Sequence, residues 1–141
     1  MKKHFSAKWK ASKQPRKQRK YLANAPLHLR KKFLSINLSK ELKKKYGKRN
    51  LSARKGDLVK IKKGKFKNKT GKIIKINLKK SSIIIEGIQI KKTDGSKVNF
   101  KLKPSNLQIM ELNLEDKKRI NKIKQTNKEE KENALKKTKS T

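Results

Sequence analysis

Residues 57–78 read DLVKIKKGKFKNKTGKIIKINL, and the alternation of apolar and polar side chains in this stretch decides the fold class. Val59 and Ile61 alternate before a lysine-rich segment, and Ile74 begins a second alternating run after it. An apolar residue at every second position is typical of a β-strand with one buried face. The stretch is therefore predicted to form two strands joined by a basic turn.

The same pattern continues towards the C-terminus in three more apolar runs, which begin at Ile84, Val98 and Leu107. Turn residues separate the runs, and Asp94-Gly95 is the strongest hairpin signal among them. Five short strands in about 55 residues suit a mostly-β fold. We expect a small SH3-like barrel that closes or nearly closes its sheet.

Two glycines, Gly64 and Gly71, frame the lysine-rich segment. A nucleotide-binding loop of the form G-x-x-x-x-G-K-[ST] that begins at Gly64 would need its second glycine at position 69, which is Lys69. The spacing excludes that loop. A plain hairpin turn and a binding surface both remain open at this point.

The charge of the chain indicates a polyanionic partner. Among 141 residues there are 45 Lys or Arg and 10 Asp or Glu, for a net charge of +35. Such an imbalance opposes compaction unless a polyanion neutralises it, and nucleic acid is the first candidate. The sequence has neither an apolar run long enough to span a membrane nor an apolar N-terminal segment, so we expect no secretion and no membrane insertion.

Composition divides the chain into three predicted parts: a basic N-terminal extension with short helices (residues 1–54), the barrel (55–112), and a basic C-terminal helix and disordered tail (113–141). Residues 1–24 lack periodicity and are expected to be disordered in isolation. The remaining extension is predicted to form two short helices.

The first of these helices is predicted in PLHLRKKF, where Pro26 is tolerated in the opening turn. The second is predicted in SKELKKKYG, with Ser39 as N-cap and Gly47 as terminator. After the barrel, Asn113 and Asp116 resemble a capping box, which predicts a third short helix, with disorder beyond about Lys124.

Nothing in the sequence points to catalysis. The two histidines, His4 and His28, have no carboxylate neighbours in sequence, and acidic residues such as Glu115 and Asp116 are adjacent, which suits capping better than paired acid–base chemistry. Cysteine is absent, so disulfides and thiolate metal sites are excluded. We expect no catalytic residue, no metal site and no cofactor.

Five of the seven aromatic residues lie in the basic extension. Cations that grip phosphates, together with rings that can stack on bases, are the recurring chemistry of RNA recognition. For Phe33 and Tyr46 the favoured interpretation is packing, whereas for Trp9 and Tyr21 it is RNA contact. Only six basic residues are arginine, and specific phosphate contacts are expected to be enriched there.

Longer segments resemble a known family. KGDLVKIKKGKFKNKTGKIIKI (residues 55–76) is similar to a KOW motif, and residues 83–119 resemble the rest of the large-subunit ribosomal protein twenty-four family, called twenty-six in eukaryotes. KQPRKQRKYLANAPLHLRKKF and LSKELKKKYGKRNLSARKGD resemble the N-terminal region of its archaeal and eukaryotic branch. The resemblance covers roughly residues 12–119.

The resemblance implies a structural protein of the large ribosomal subunit in the cytoplasm. It implies binding to large-subunit rRNA towards its 5′ part, a role in early assembly, and a position near the nascent-chain tunnel exit, beside neighbouring ribosomal proteins and possible tunnel-exit factors. The alternatives are a KOW-domain transcription or RNA-processing factor and, with less support, an RNA-acting enzyme such as a nuclease.

Basic composition and the resemblance together select the candidate site residues. Those predicted to bind RNA are Trp9, Lys13, Arg16, Lys17, Arg19, Lys20, Tyr21, Asn24, His28, Arg30, Lys31, Lys32, Arg49, Arg54, Lys62, Lys63, Lys65, Lys67, Lys69, Lys72, Ser105 and Asn106. Those predicted to form structural turns are Gly56, Gly64, Asn68, Gly71, Asp94 and Gly95.

The chain departs from the family pattern at two positions. Asn68 replaces a usual glycine, and asparagine tolerates positive φ, so the turn is expected to survive. Lys103 replaces a frequent histidine, which leaves the role of that histidine open here. The spacing between Gly64 and Gly71, with the long basic arm, favours an archaeal source.

Overall fold

The alternating runs of the sequence form the strands of one sheet in the computed structural model, which describes residues 5–121. The strands are β1 (Ser35–Leu38), β2 (Asn50–Ser52), β3 (Leu58–Ile61), β4 (Thr70–Asn77), β5 (Ser82–Lys91), β6 (Lys97–Leu102) and β7 (Leu107–Glu111). The helices are α1 (Pro15–Asn24), α2 (Leu27–Phe33), α3 (Lys40–Tyr46) and α4 (described residues 117–121), with 3-10 turns at Ala7–Ala11 and Pro104–Asn106. The predicted mostly-β class is confirmed.

The predicted five-stranded barrel is not confirmed, because seven strands form one open sheet in the order β2-β1-β7-β3-β4-β5-β6. All five predicted runs are strands, β3 to β7, but β1 and β2 extend the sheet beyond β7. β1 pairs with β7 in parallel, through Asn37 opposite Gln108 and Leu38 opposite Ile109. The edge of β7 that a closing strand would need is therefore occupied.

The inward-facing residues of β4 and β5 differ from the simple alternation. Ile73 is buried and Ile74 is 44% exposed, because the β4–β5 register shifts between Ile73 and Lys75. In β5 the fully buried residues are Ile83 and Ile85, whereas Ile84 is half-buried. An unbroken apolar run contains no alternation that could fix which residues face the core.

The hydrophobic core draws on the extension as well as on the predicted barrel. It consists of Leu34, Ile36, Leu38, Ala53, Val59, Ile61, Ile73, Ile83, Ile85, Ile88, Leu102, Leu107 and Ile109. Four of these residues precede position 55. Truncation of a buried Leu or Ile to Ala typically costs about 2–5 kcal/mol, so β1 is a major stabilising element.

Both predicted helices of the extension are present as α2 and α3. The Oγ of Ser39 accepts a hydrogen bond from the Leu42 N–H at 3.3 Å, and Gly47 ends α3 with φ 63°. In the whole chain, α1 begins at Pro15 and packs through Tyr21, so the disorder expected for residues 1–24 in isolation stays a prediction. The ring partners of Tyr21, Phe5 and Phe33, are not in α1 itself, so the position of α1 depends on packing against neighbouring segments.

The helix predicted after the sheet begins later than expected. Asp116, and not Asn113, caps α4: its Oδ1 accepts from the Lys118 N–H at 2.9 Å and its carbonyl from the Arg119 N–H at 3.0 Å. Asn113 instead accepts from the Glu115 N–H in a preceding turn. The tail expected to be disordered beyond Lys124 lies outside the described residues.

Candidate nucleic-acid interface

The lysine loop (residues 62–69) connects β3 to β4 and is closed by its own backbone. The Ile61 N–H donates to the Lys69 carbonyl at 2.9 Å, and the Asn68 N–H donates to the Ile61 carbonyl at 2.8 Å. Gly64 and Asn68 have φ values of 99° and 68°, which allow this tight path. The loop is therefore a defined scaffold for its lysine side chains.

One aromatic side chain fixes the loop to the body of the protein. Phe66 packs against the core, and its ring centre lies 5.3 Å from that of Phe100. The Nζ of Lys69 lies 5.6 Å from the centre of the Phe66 ring. The candidate lysines are all exposed: Lys62, Lys63, Lys65, Lys67 and Lys69 of the loop, and Lys72 of β4.

Gly71 lies within β4 and permits a close approach to β5. A Cβ added at Gly71 would stand 2.7 Å from Cγ2 of Ile85 and 2.9 Å from the Glu86 carbonyl oxygen. Both distances are shorter than real Cβ contacts. The strand that carries Lys72 can therefore pack closely on β5 only with glycine at position 71.

The second predicted segment, Pro104–Asn106, lies at the base of the lysine loop. The Lys62 N–H donates to the Asn106 carbonyl at 2.7 Å. Ser105 is exposed and Asn106 half-buried, and Lys103, at the position of the usual histidine, is exposed before this turn. The fold thus brings together two candidate segments that lie far apart in the chain.

The extension presents a separate group of basic residues on α1 and α2. The exposed members are Lys13 before α1, Arg16, Lys17, Arg19 and Lys20 on α1, His28, Lys31 and Lys32 on α2, and Arg49 after α3. Asn24 is half-buried at the end of α1. Exposed cations on short helices are suited to phosphate contacts along a nucleic-acid backbone.

The two aromatic residues of the extension that are predicted to contact RNA differ in their surroundings. The Tyr21 ring lies between Phe5 and Phe33, at centroid distances of 5.0 and 6.0 Å. Trp9 is half-buried, and the Nζ of Lys20 lies 5.5 Å from its ring centre. Tyr21 and Phe33 therefore have an intramolecular packing role, and RNA contact by Trp9 and Tyr21 stays a prediction.

Two candidate arginines are engaged within the chain. Arg30 donates to the carbonyls of Ala23, Ala25 and Lys79, with the last contact at 2.7 Å. These contacts tie α1 and α2 to the turn after β4. Arg54 pairs with Asp116 at 2.7 Å, with both side chains partly exposed.

The remaining predicted turn residues lie away from the lysine loop. Gly56 and Gly95 have φ values of 87° and 83°. Asp94 accepts hydrogen bonds from the Oγ and N–H of Ser96, and these bonds lower the pKa of the Asp94 carboxyl from its ordinary value. The carboxylate form thus supports the β5–β6 turn.

Neither a metal-ligand cluster nor a membrane-spanning helix occurs among the described residues. Within residues 5–121, no group of three or more His, Asp or Glu side chains is placed to hold a metal ion. No helix in the same range is long and apolar enough to cross a bilayer. His4 lies outside the described range, and His28 is exposed on α2.

A comparison with known protein families matches residues 12–126 to the ribosomal protein family that comprises the eukaryotic L26 proteins and their archaeal counterparts, numbered twenty-four. The chain belongs to this ribosomal protein family. The match includes the basic extension as well as the sheet, as the resemblance of the separate segments predicts.

Membership of the ribosomal L26 family gives the chain a structural role in the large ribosomal subunit, and so a place in translation. Proteins of this family act in the ribosome, in the cytoplasm, among rRNA and other ribosomal proteins, and are generally not enzymes. The family includes eukaryotic and archaeal members, so the archaeal source stays a prediction.

One buried feature of this L26-family chain cannot be predicted from its sequence. Arg119 and Asp57 form a buried bidentate ion pair with distances of 2.6 and 2.9 Å, although they lie 62 positions apart. Asp57 also accepts from the N–H groups of Arg54 and Asn113, both at 2.9 Å. Their separation in sequence leaves no local signal for the pair.

Proposed function

We propose that the chain binds large-subunit rRNA through the lysine loop, the adjoining Pro104–Asn106 turn and the exposed cations of α1 and α2. The observation that carries the proposal is the set of exposed lysines on a hairpin whose backbone and Phe66 are fixed by the fold. Cations on a fixed scaffold can match phosphate spacing at a small entropic cost on binding.

The finer parts of the proposal rest on the family resemblance. We propose binding towards the 5′ part of the large-subunit rRNA, a contribution to early assembly, and a position near the tunnel exit, where neighbouring ribosomal proteins and exit-site factors are candidate partners. The candidate site residues in the sequence are proposed as contacts in that setting, with Arg30 and Tyr21 acting partly by holding the extension together.

The salt dependence of binding tests the electrostatic part of this proposal. With about ten phosphates neutralised, log affinity should fall with log salt at a slope near −7 to −9. The measurement is a titration of the full chain onto large-subunit rRNA over a range of salt concentrations. An affinity nearly independent of salt would contradict phosphate-dominated recognition.

Crosslinking in cells, followed by sequencing of the bound RNA, tests the identity of the target. One dominant region of large-subunit rRNA is expected. Scattered messenger RNA or DNA would refute the ribosomal target, and co-purification with polymerase instead of large subunits would favour the alternative KOW-domain factor. The match over the extension weighs against that alternative, because a KOW motif alone would not require the extension.

A further inference from the structure

A basic cleft lies on the side of the protein formed by α2, β2 and α4. Its lining residues are Lys31, Lys48, Leu51, Ser52, Arg54, Lys118 and Arg119, and its volume is about 250 Å³. We propose that this basic cleft binds a single backbone phosphate of the rRNA. The proposal rests on the proposed function and adds Lys118 to the interface.

The charges around the cleft do not cancel. Five of its lining residues are cationic, and one of them, Lys48, has an interaction of its own within the protein. Among the described residues, Asp57 pairs with Arg119 and Asp116 pairs with Arg54. Leaving Lys48 aside, two carboxylates against four cations still leave an excess of positive charge in a concave site, where the low-dielectric protein walls focus the field on an incoming anion.

Arg119 is a positioning residue for this cleft and not a phosphate ligand. Its two terminal nitrogens bond to both carboxylate oxygens of Asp57, to the Asn113 carbonyl at 2.9 Å and to the Ser52 carbonyl at 3.3 Å. A guanidinium has five N–H donors, so most of its capacity is already used. The contacts fix α4 beside β2 and thereby set where Lys118 stands.

The dimensions of the cleft favour a small anionic group. Pockets that enclose drug-sized ligands measure roughly 300–1,000 Å³, and the basic cleft is smaller than that range. An acidic peptide could use the edge of β2, but this strand has three residues and offers few backbone hydrogen bonds. A phosphate needs only cations at the wall of the cleft, and Lys31 and Lys118 are exposed there.

The test removes two cleft charges from exposed positions and compares the result with a matched pair elsewhere. The cleft variant is Lys31→Gln with Lys118→Gln, and the control is Lys91→Gln with Lys97→Gln, an exposed pair opposite each other in β5 and β6. Both variants lose the same net charge. Binding to large-subunit rRNA is measured over a range of salt concentrations, and thermal unfolding checks that both variants fold.

If the cleft holds a phosphate, the cleft variant should bind about tenfold more weakly at about 0.15 M salt, with a shallower salt slope by about 1. The control should lose no more than about twofold, because diffuse charges contribute less than a direct contact. A Lys31→Arg, Lys118→Arg variant keeps the charges and should bind within about threefold of the unmodified chain.

Equal losses in the cleft variant and the control would overturn the proposal. It would also be overturned if a polyglutamate peptide bound the unmodified chain and lost that binding in the cleft variant while rRNA binding was unchanged. If the unmodified chain bound large-subunit rRNA no better than an unrelated RNA, the proposed function itself would fail. That result is distinct from a cleft-specific failure.

Discussion

At the scale of single residues, the Asp57–Arg119 pair shows how a charge is accommodated in the interior. Asp57 is fully buried, and its carboxylate accepts from two backbone N–H groups as well as from the Arg119 guanidinium. A buried ion pair contributes little net stability compared with apolar packing, because both charges are desolvated. Removal of one partner alone, however, leaves an uncompensated buried charge.

We therefore expect Arg119→Ala to lower the free energy of unfolding by about 3–5 kcal/mol. The measurement is equilibrium unfolding by denaturant at neutral pH. Arg54→Ala is the control, because the Arg54–Asp116 pair is partly exposed and such pairs contribute about 1 kcal/mol or less. Similar losses in the two variants would mean that the buried pair is not a special support of α4.

At the scale of elements, the sequence predicts those segments whose partners are near in sequence or whose pattern is strictly periodic. The Ser39 cap and the Gly47 terminator identify α3, and the alternation around Val59 identifies β3. β1 is missed although Leu34, Ile36 and Leu38 also alternate, because this short run lies between two basic helices. Its parallel pairing with β7 depends on residues about seventy positions away and has no local signature.

The candidate site likewise has one part that the sequence predicts and another part that it does not. Exposed cations of the lysine loop can be named from composition and the family resemblance, since the turn between two alternating runs lies at the surface. Composition cannot show that Arg30 bonds to the turn after β4, or that Lys48 and Lys118 face one cleft. Such relations arise only when distant segments pack.

The lysine loop provides a prediction at the element scale. Charge reversal of Lys65, Lys67 and Lys69 to Glu should weaken binding to large-subunit rRNA by about a hundredfold or more at about 0.15 M salt. The fold should be retained, because these side chains are exposed and Phe66 still anchors the loop.

The measurement for the loop variant is RNA binding combined with circular dichroism and thermal unfolding. Reversal of Lys91, Lys92 and Lys97 in the β5–β6 hairpin gives a control with the same net charge at exposed positions. If the loop variant bound as well as this control, the lysine loop would face solvent or protein instead of RNA.

At the scale of the whole molecule, the extension has two physical roles. α1 and the first 3-10 turn present exposed cations, whereas β1 and β2 extend the sheet. Leu34 before β1, and Ile36 and Leu38 within it, join the core. A highly charged chain gains from this arrangement, because burial of β1 opposes the self-repulsion of its basic flanks. The predicted domain boundary after residue 54 therefore raises the question of whether residues 55–112 are stable without β1 and β2.

Truncation answers that question and separates the two roles. A chain that begins at residue 25 keeps β1 and β2, so it should still unfold cooperatively but bind rRNA more weakly. A chain that begins at residue 55 loses Leu34, Ile36, Leu38 and Ala53. Because loss of each large buried side chain costs about 2–5 kcal/mol and domains are stable by only about 5–15 kcal/mol, we expect it to be largely unfolded.

Thermal unfolding and NMR spectra of the two truncated chains measure this difference directly. A cooperative transition and dispersed amide signals from the chain beginning at residue 55 would show that residues 55–112 fold independently, as the composition predicts. Broad or absent signals from that chain, together with native-like spectra from the longer one, would show that β1 and β2 are required for the fold. Binding to rRNA would then depend on the extension twice, for the completed sheet and for its own exposed cations.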